Sequence, residues 1–258
     1  MNDIKLVALD VDGVIREASK LFYECHRSAL AKEGFGAQFE KGFTVKQLWH
    51  FKGLGKFNDK REALRAIYIL IKANRLGMLG KMIYLPDAGE RISWLVESTK
   101  VRADMNVVDR MVKEYQRVAV SKKAKGFVRL YPSAKSNILS IKRSKKKLAI
   151  LTNSHILTLE RDLKELLGYF DYVVTPRDIG SPKPSGEGLR FISRKSGVGL
   201  ADIAYVGDTV VDMITARDAG CISVAVYSGM GLKKHLEMES PDHIFKDLKE
   251  VAGWISKQ

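Results

Sequence analysis

The sequence predicts an α/β protein: a parallel sheet with helices on both faces, interrupted after its first strand by a helical insertion. Three observations carry this. Residues 4–9 form a short apolar run that breaks abruptly into Asp10-Val11-Asp12-Gly13, the pattern of a buried strand ending in a tight turn. Residues 15–130 are helical in pattern, with little strand signal. Between 147 and 226, short apolar runs alternate with helical stretches, which is how βαβ units and a parallel sheet read. The expected division is 1–14 with 130–258 for the α/β core, and 15–129 for the inserted helical domain.

Taken in order, residues 19–33 place Leu21, Phe22, Cys25, Ala29 and Leu30 on one helical face, and Gly34 ends the run. A loop carrying Gly36 and Gly42 is expected next, then a short helix over 44–51. Asp59 is placed to cap a longer helix reaching about Asn74, Pro86-Asp87 opens another to about Glu97, and 106–123 reads as one more. Strands are expected at 147–151, 172–174, 203–206 and 223–226. Helices are expected at 156–167, 186–196, 212–219 and 248–255, three of them closed by Gly168, Gly197 and Gly220.

Composition narrows the class. A chain of 258 residues, 45% hydrophobic and 29% charged, is typical of a globular protein with one or two domains. No apolar run approaches the ~20 residues of a membrane span, and the chain enters a core strand at once, with no signal-peptide pattern. Cys25 and Cys221 stand far apart in no metal-like spacing and are expected as buried free thiols in a reducing cytoplasm. The net charge of +14 is the abnormal figure. Its short basic clusters at 122–125, 142–147 and 233–234 are not interleaved with aromatics and belong to no nucleic-acid module. They read as solvated surface, which argues against a nucleic-acid partner.

The chemistry-bearing residues sit at strand ends, where open α/β sheets bind ligands. Asp10 and Asp12 end the first strand, and like charges so close call for a neutralising divalent cation. Thr152-Asn153-Ser154 ends the strand at 147–151, offering a hydroxyl and backbone N–H groups to an anionic oxygen. Lys183 stands between Pro182 and Pro184 in a stiffened loop, able to offset phosphate charge. Asp208 follows Gly207 at the end of another strand, with Asp212 in the first turn of the next helix. Each feature alone has a bland reading as a cap or an exposed loop residue. Four strand ends all bearing phosphate or metal chemistry are harder to assign to chance.

These four stretches, Asp10-Val11-Asp12-Gly13-Val14, Leu151-Thr152-Asn153, Lys183 and Gly207-Asp208-Thr209-Val210-Val211-Asp212, appear in the order of the motifs of the haloacid dehalogenase superfamily, which the chain resembles along nearly its whole length. The resemblance is to phosphoglycolate phosphatase-like members with a helical cap of the first type. It implies a Rossmann-like core, with Asp10 as nucleophile and Asp12 as general acid, then base. It also implies Mg²⁺ held by Asp10, Asp12 and Asp208 with Asp212 in support, and phosphoryl oxygens bound by Thr152, Lys183 and groups around Asn153. An aspartate at position 12 favours phosphate-ester chemistry over dehalogenation. The expected substrate is a small phosphorylated metabolite, with His50, Lys52, Lys56, Asn58 and Arg61 as candidate specificity residues and Lys52 or Arg61 reaching its remote end. Residues 60–70 loosely resemble the cap of β-phosphoglucomutase, so a phosphomutase is the alternative. A non-enzymatic basic binding module is a remote third reading.

Overall fold

The apolar run after Ile4 forms β1 (Leu6–Leu9), every residue of it buried. The computed structural model describes residues 3–258. Among these, one unit ends at Glu17 and resumes at Arg129, and the second is Ala18–Val128.

Short β2 (Arg16–Glu17) leads out of the first unit. The second unit is helical: α1 (Ser19–Lys32), α2 (Gly36–Gly42), α3 (Val45–Lys52), α4 (Lys60–Lys72), the single turn α5 (Leu79–Met82), α6 (Ala88–Ser98) and α7 (Met105–Ala119). Thr44 caps α3 in a reciprocal box with Gln47, and the Asp59 carboxylate accepts from the N–H groups of Arg61 and Glu62 at the start of α4. Each satisfies donors that the helix start leaves unpaired. Where a loop was expected around Gly36 and Gly42, α2 forms instead. Phe39 is fully buried there, with Tyr23, Phe43 and His26 rings around it, and burial of roughly 1.5–3 kcal/mol outweighs weak glycine propensity. The α7 helix stops at Ala119 rather than 123, the chain continuing through 3₁₀ turns over Lys122–Phe127.

His26 lies in the centre of this unit. Its Nδ1 faces the Phe22 carbonyl at 2.7 Å, while Nε2 is buried with no hydrogen-bond partner among the described residues. Burial, with the Lys52 charge nearby, pushes its pKa down from 6.5 to about 3. Below pH 6.5 the unfolded chain therefore takes up a proton that the folded chain refuses. Stability present at neutral pH is lost as pH falls from 6.5 toward 3, by about 2 kcal/mol at pH ~5. In urea titrations at pH ~7 and ~5, the wild type should lose that much more than His26→Leu; equal losses would refute the assignment.

The chain re-enters the first unit on β3 (Arg129–Leu130), antiparallel to β2. Then follow α8 (Ala134–Arg143), β4 (Lys147–Leu151), α9 (Ile156–Leu167), β5 (Tyr172–Val174), α10 (Glu187–Ser196), β6 (Ile203–Gly207), α11 (Val210–Ala219), β7 (Ile222–Val226), α12 (Lys233–Met238), β8 (His243–Phe245) and α13 (Leu248–Ile255). Six strands make one sheet in the order β5-β4-β1-β6-β7-β8, all pairs parallel. Alternation along the strands sorts the core into two layers. Val7, Leu9, Leu148, Ile150 and Val206 pack with α8, α9 and α13, and Leu6, Ala8, Leu151 and Tyr205 with α10 and α11. This is the Rossmann-like α/β arrangement expected. β1 is central, and the strand order reverses around it. That places the carboxyl ends of β1, β4 and β6 side by side at the switch point where such sheets bind ligands.

Candidate active site

Asp10 follows β1 and is 5% exposed. Its backbone N–H donates to the Val206 carbonyl of β6 at 2.9 Å, so the sheet ladder itself aims the residue. Lys183 reaches Asp10 Oδ1 at 2.9 Å and Asp212 Oδ1 at 2.7 Å, its ammonium also donating to the Tyr205 hydroxyl at 3.0 Å. Burial works against the Lys183 charge, but Asp10 and Asp212 outweigh it and hold its pKa above the ordinary lysine value. The Asp10 pKa is raised as well, which for a carboxyl favours the neutral form: burial, reinforced by Asp212 and Asp12, lifts it to about 7 despite Lys183.

Asn153 aims the lysine from behind. Its amide donates to the Lys183 carbonyl at 3.0 Å and accepts from the Lys183 N–H at 3.1 Å. Both ends of the Asn153 side chain are thus engaged by the 183 loop. Thr152 is buried, and its hydroxyl oxygen accepts from the Ser154 N–H at 3.1 Å. Both stand at the end of β4, beside β1.

Asp212 is fully buried and saturated with donors: Lys183 and Tyr205 on Oδ1, the Thr209 N–H and hydroxyl on Oδ2 at 3.0 and 2.6 Å. Burial would raise its pKa, but Lys183 and these hydrogen bonds bring it below the usual range. Asp208 is its opposite. Oδ2 accepts from the Met230 N–H at 2.6 Å, while Oδ1 is buried with no partner among the described residues. Burial and the charges of Asp212 and Asp10 lift its pKa well above the ordinary value.

One oxygen from each of Asp10, Asp208 and Asp212 lies within 4.8 Å of the others. A Cβ at Gly13 or Gly229 would collide with the Asp208 carboxylate, so two close-approaching backbones leave that carboxylate room. Once ionised, three carboxylates outnumber the one ammonium, and their oxygens are hard ligands. An orphaned buried oxygen in such a cradle fits a small divalent cation.

Asp12 is held apart from this cluster by different partners. Arg16 donates to both its oxygens, at 2.7 and 3.3 Å, and the Ser154 hydroxyl donates to Oδ2 at 2.6 Å.

A family model for haloacid dehalogenase-like hydrolases matches residues 4–220, most of the chain. The chain belongs to the haloacid dehalogenase-like hydrolase family. Within that family it is 32% identical over 137 residues to a phosphoglycolate phosphatase of Neisseria meningitidis, covering 51% of this chain and 58% of that protein. It is 31% identical over 172 residues to the probable phosphatase IndB of Dickeya dadantii, covering 64% of this chain and 70% of the other. Among solved structures, a hydrolase from Pseudomonas syringae superposes with a TM-score of 0.69 at 16% identity, over 100% of this chain and 99% of that one. A predicted phosphoglycolate phosphatase from Haemophilus somnus gives 0.69 at 18% identity, over 98% and 99%. At these identities the structures speak to the fold alone.

In this family member, residues unmarked by the motifs complete the site. Tyr205 ties Lys183, Asp212 and the Leu151 carbonyl together from inside β6. The turn after β7 supplies Ser228, whose hydroxyl donates to the Gly13 carbonyl at 2.6 Å, and the Met230 N–H. The glycines at 229 and 231 after an apolar strand were the available signal for that turn. The candidate specificity residues behave unevenly. Lys52 is buried rather than solvated, donating to the Asn58 carbonyl, and Arg61 is paired with Asp109.

Proposed function

We propose that this chain is a divalent-cation-dependent phosphomonoesterase acting on a small phosphorylated metabolite through an aspartyl-phosphate, in the manner of phosphoglycolate phosphatases. The observation that carries the reading is the Asp10 carboxylate, buried at the end of the central strand, paired to Lys183 and clustered with Asp208 and Asp212 in a set that fits a divalent cation.

Asp10 attacks phosphorus, and the bond from phosphorus to the ester oxygen breaks as Asp12 protonates the departing alcohol. Water then attacks the acyl phosphate, Asp12 takes its proton, and the bond to Asp10 breaks to free phosphate and the carboxylate. Lys183, Thr152 and the main chain around Val11 and Asn153 bind the phosphoryl oxygens, whose charge in the loose transition state needs positioned donors. Mg²⁺, when bound by Asp10, Asp208 and the Asp12 main chain with Asp212 behind, supplies positive charge against those same oxygens. Asp10, Asp12 and Asp208 are thus nucleophile, acid–base and metal ligand.

The helical unit is proposed as the cap that selects substrate. It holds 22 Lys and Arg against 11 Asp and Glu, while the α/β unit holds 22 against 19, so 11 of the 14 net positive charges fall in the cap. Such an excess supports an anionic substrate, whose capture it accelerates. Two unbridged buried thiols agree with a reducing compartment.

Phosphate release should be measured from phosphoglycolate, sugar phosphates and p-nitrophenyl phosphate, with Mg²⁺ and with EDTA. Metal-dependent release supports the reading. A requirement for a catalytic sugar bisphosphate would turn it into a phosphomutase, and release indifferent to EDTA would overturn the cation's role.

A further inference from the structure

Arg16 is among the largest fully buried side chains of the described residues and lies outside the motif residues. Its guanidinium spends its donors on two carboxylates. Nε and Nη2 take the two oxygens of Asp12, and Nη1 takes Asp162 Oδ2 at 2.5 Å together with the Thr158 carbonyl at 3.4 Å. Asp162, inside α9, is in turn clasped by Arg161 at 2.5 and 2.6 Å. The result is a chain of alternating charges, Arg161–Asp162–Arg16–Asp12, whose last carboxylate also accepts from Ser154.

Local backbone sets up the first link. The N–H groups of Ile15 and Arg16 both donate to the Val11 carbonyl, at 2.9 and 3.0 Å, and Gly13 N–H donates to the Arg16 carbonyl at 2.8 Å. This closed turn returns residue 16 onto residue 12. The second link fixes the guanidinium plane, because a fork held at Asp162 and Thr158 cannot rotate without leaving a buried donor unpaired. With three hydrogen bonds on two oxygens, the Asp12 carboxylate has one orientation.

We propose that Arg16, anchored by Asp162, is the positioning residue that fixes Asp12 for proton transfer at the ester oxygen. This rests on the phosphatase reading above, in which Asp12 is the acid. Asp12 touches the reacting atoms; Arg16 and Asp162 act through it. A structural ion pair joining β2 to α9 would use the same contacts, so the test must separate the two roles.

Leaving-group dependence does so. Nitrophenolate departs with little help from an acid, whereas an alkoxide does not. In kcat/KM, which reports phosphoryl transfer to Asp10, Arg16→Met should lower hydrolysis of an alkyl phosphate by about 100-fold and of p-nitrophenyl phosphate by less than about fivefold. Asp162→Asn should show the same skew at roughly tenfold, with KM little changed. Arg16→Lys should recover only part of the loss, since an ammonium cannot hold both oxygens and Asp162 in one plane. Circular dichroism and urea midpoints establish that each variant is folded; if Arg16→Met does not fold, Asp162→Asn and Arg16→Lys carry the comparison.

Equal losses on both substrates, or no loss on either, would overturn the inference. The parallel Asp10→Asn protein keeps the two claims apart. If it is inactive while the losses are equal, only the positioning role fails. If it turns over like wild type, the aspartyl-phosphate reading fails and this inference goes with it.

Discussion

Asp10→Asn should lose turnover by about 10⁴-fold or more while remaining folded. The amide oxygen that replaces the carboxylate carries no full charge to attack phosphorus, and no other carboxylate takes its place. Asp212 is enclosed by four donors and Asp12 by three, and Asp208, with one oxygen unpartnered among the described residues, is on the proposed mechanism committed to the cation when Mg²⁺ is saturating. The fold should survive because Asp10 is held against its own preference. Burial raises it to about 7, so neutralising it removes repulsion from Asp12 and Asp212 even as it forfeits one of the Lys183 pairings. The check is phosphate release under saturating Mg²⁺, with acid-quenched wild-type protein carrying labelled phosphate on the peptide that contains Asp10 and the variant carrying none. Turnover within tenfold of wild type would remove Asp10 from the mechanism.

The parts of this site legible in the sequence were those where a rule of chain composition is broken. Asp10, Thr152 and Asp208 each end an apolar run, and a polar residue at a strand's carboxyl edge in a parallel sheet has one neighbourhood to enter. Lys183 was legible through its flanking prolines. Asn153 was legible as to place but not as to what its side chain touches, because sequence cannot show that the 183 loop folds back over β4. Arg16 and Asp162 were hidden for another reason. Asp162 stands three residues after Leu159 and four before Leu166, on the buried face of α9, so helical periodicity marks it as a carboxylate inside the core. Its partner lies 146 residues away, beyond any local pattern.

The fold divides similarly. The long strands and helices were readable because their periods persist over several residues. Two-residue β2 and β3 are too short to show alternation, and β8, as short as β5, lacks the apolar run that marked β5, with Ile244 facing solvent at the sheet edge. α2 was hidden by glycines at both its ends, since Phe39 finds its burial only once distant rings assemble around it.

Asp208→Asn should raise the stability of the metal-free protein and abolish its response to Mg²⁺. Metal-free Asp208 is the least satisfied group in the site, with one oxygen unpartnered and a pKa lifted by burial, Asp212 and Asp10. Above pH ~4 the unfolded chain has released this proton and the folded chain retains it, so the sign of the linkage is negative: stability falls as pH rises. The gain from Asp208→Asn therefore grows as pH rises toward neutrality. Asparagine keeps the acceptor for the Met230 N–H and places a donor where the orphaned oxygen stood. In the wild type, a cation saturating the three carboxylates reverses the penalty: at 100 times its Kd, Mg²⁺ adds about 2.7 kcal/mol, which at this chain length is roughly 5–10 °C in Tm. Thermal scans with EDTA and with Mg²⁺ should show the wild type lower and responsive, the variant higher and flat. A variant that still gains several degrees from Mg²⁺ would place the cation elsewhere. One that is less stable than wild type in EDTA would show that Asp208 contributes to folding without its metal, contrary to the geometry of its unpartnered oxygen.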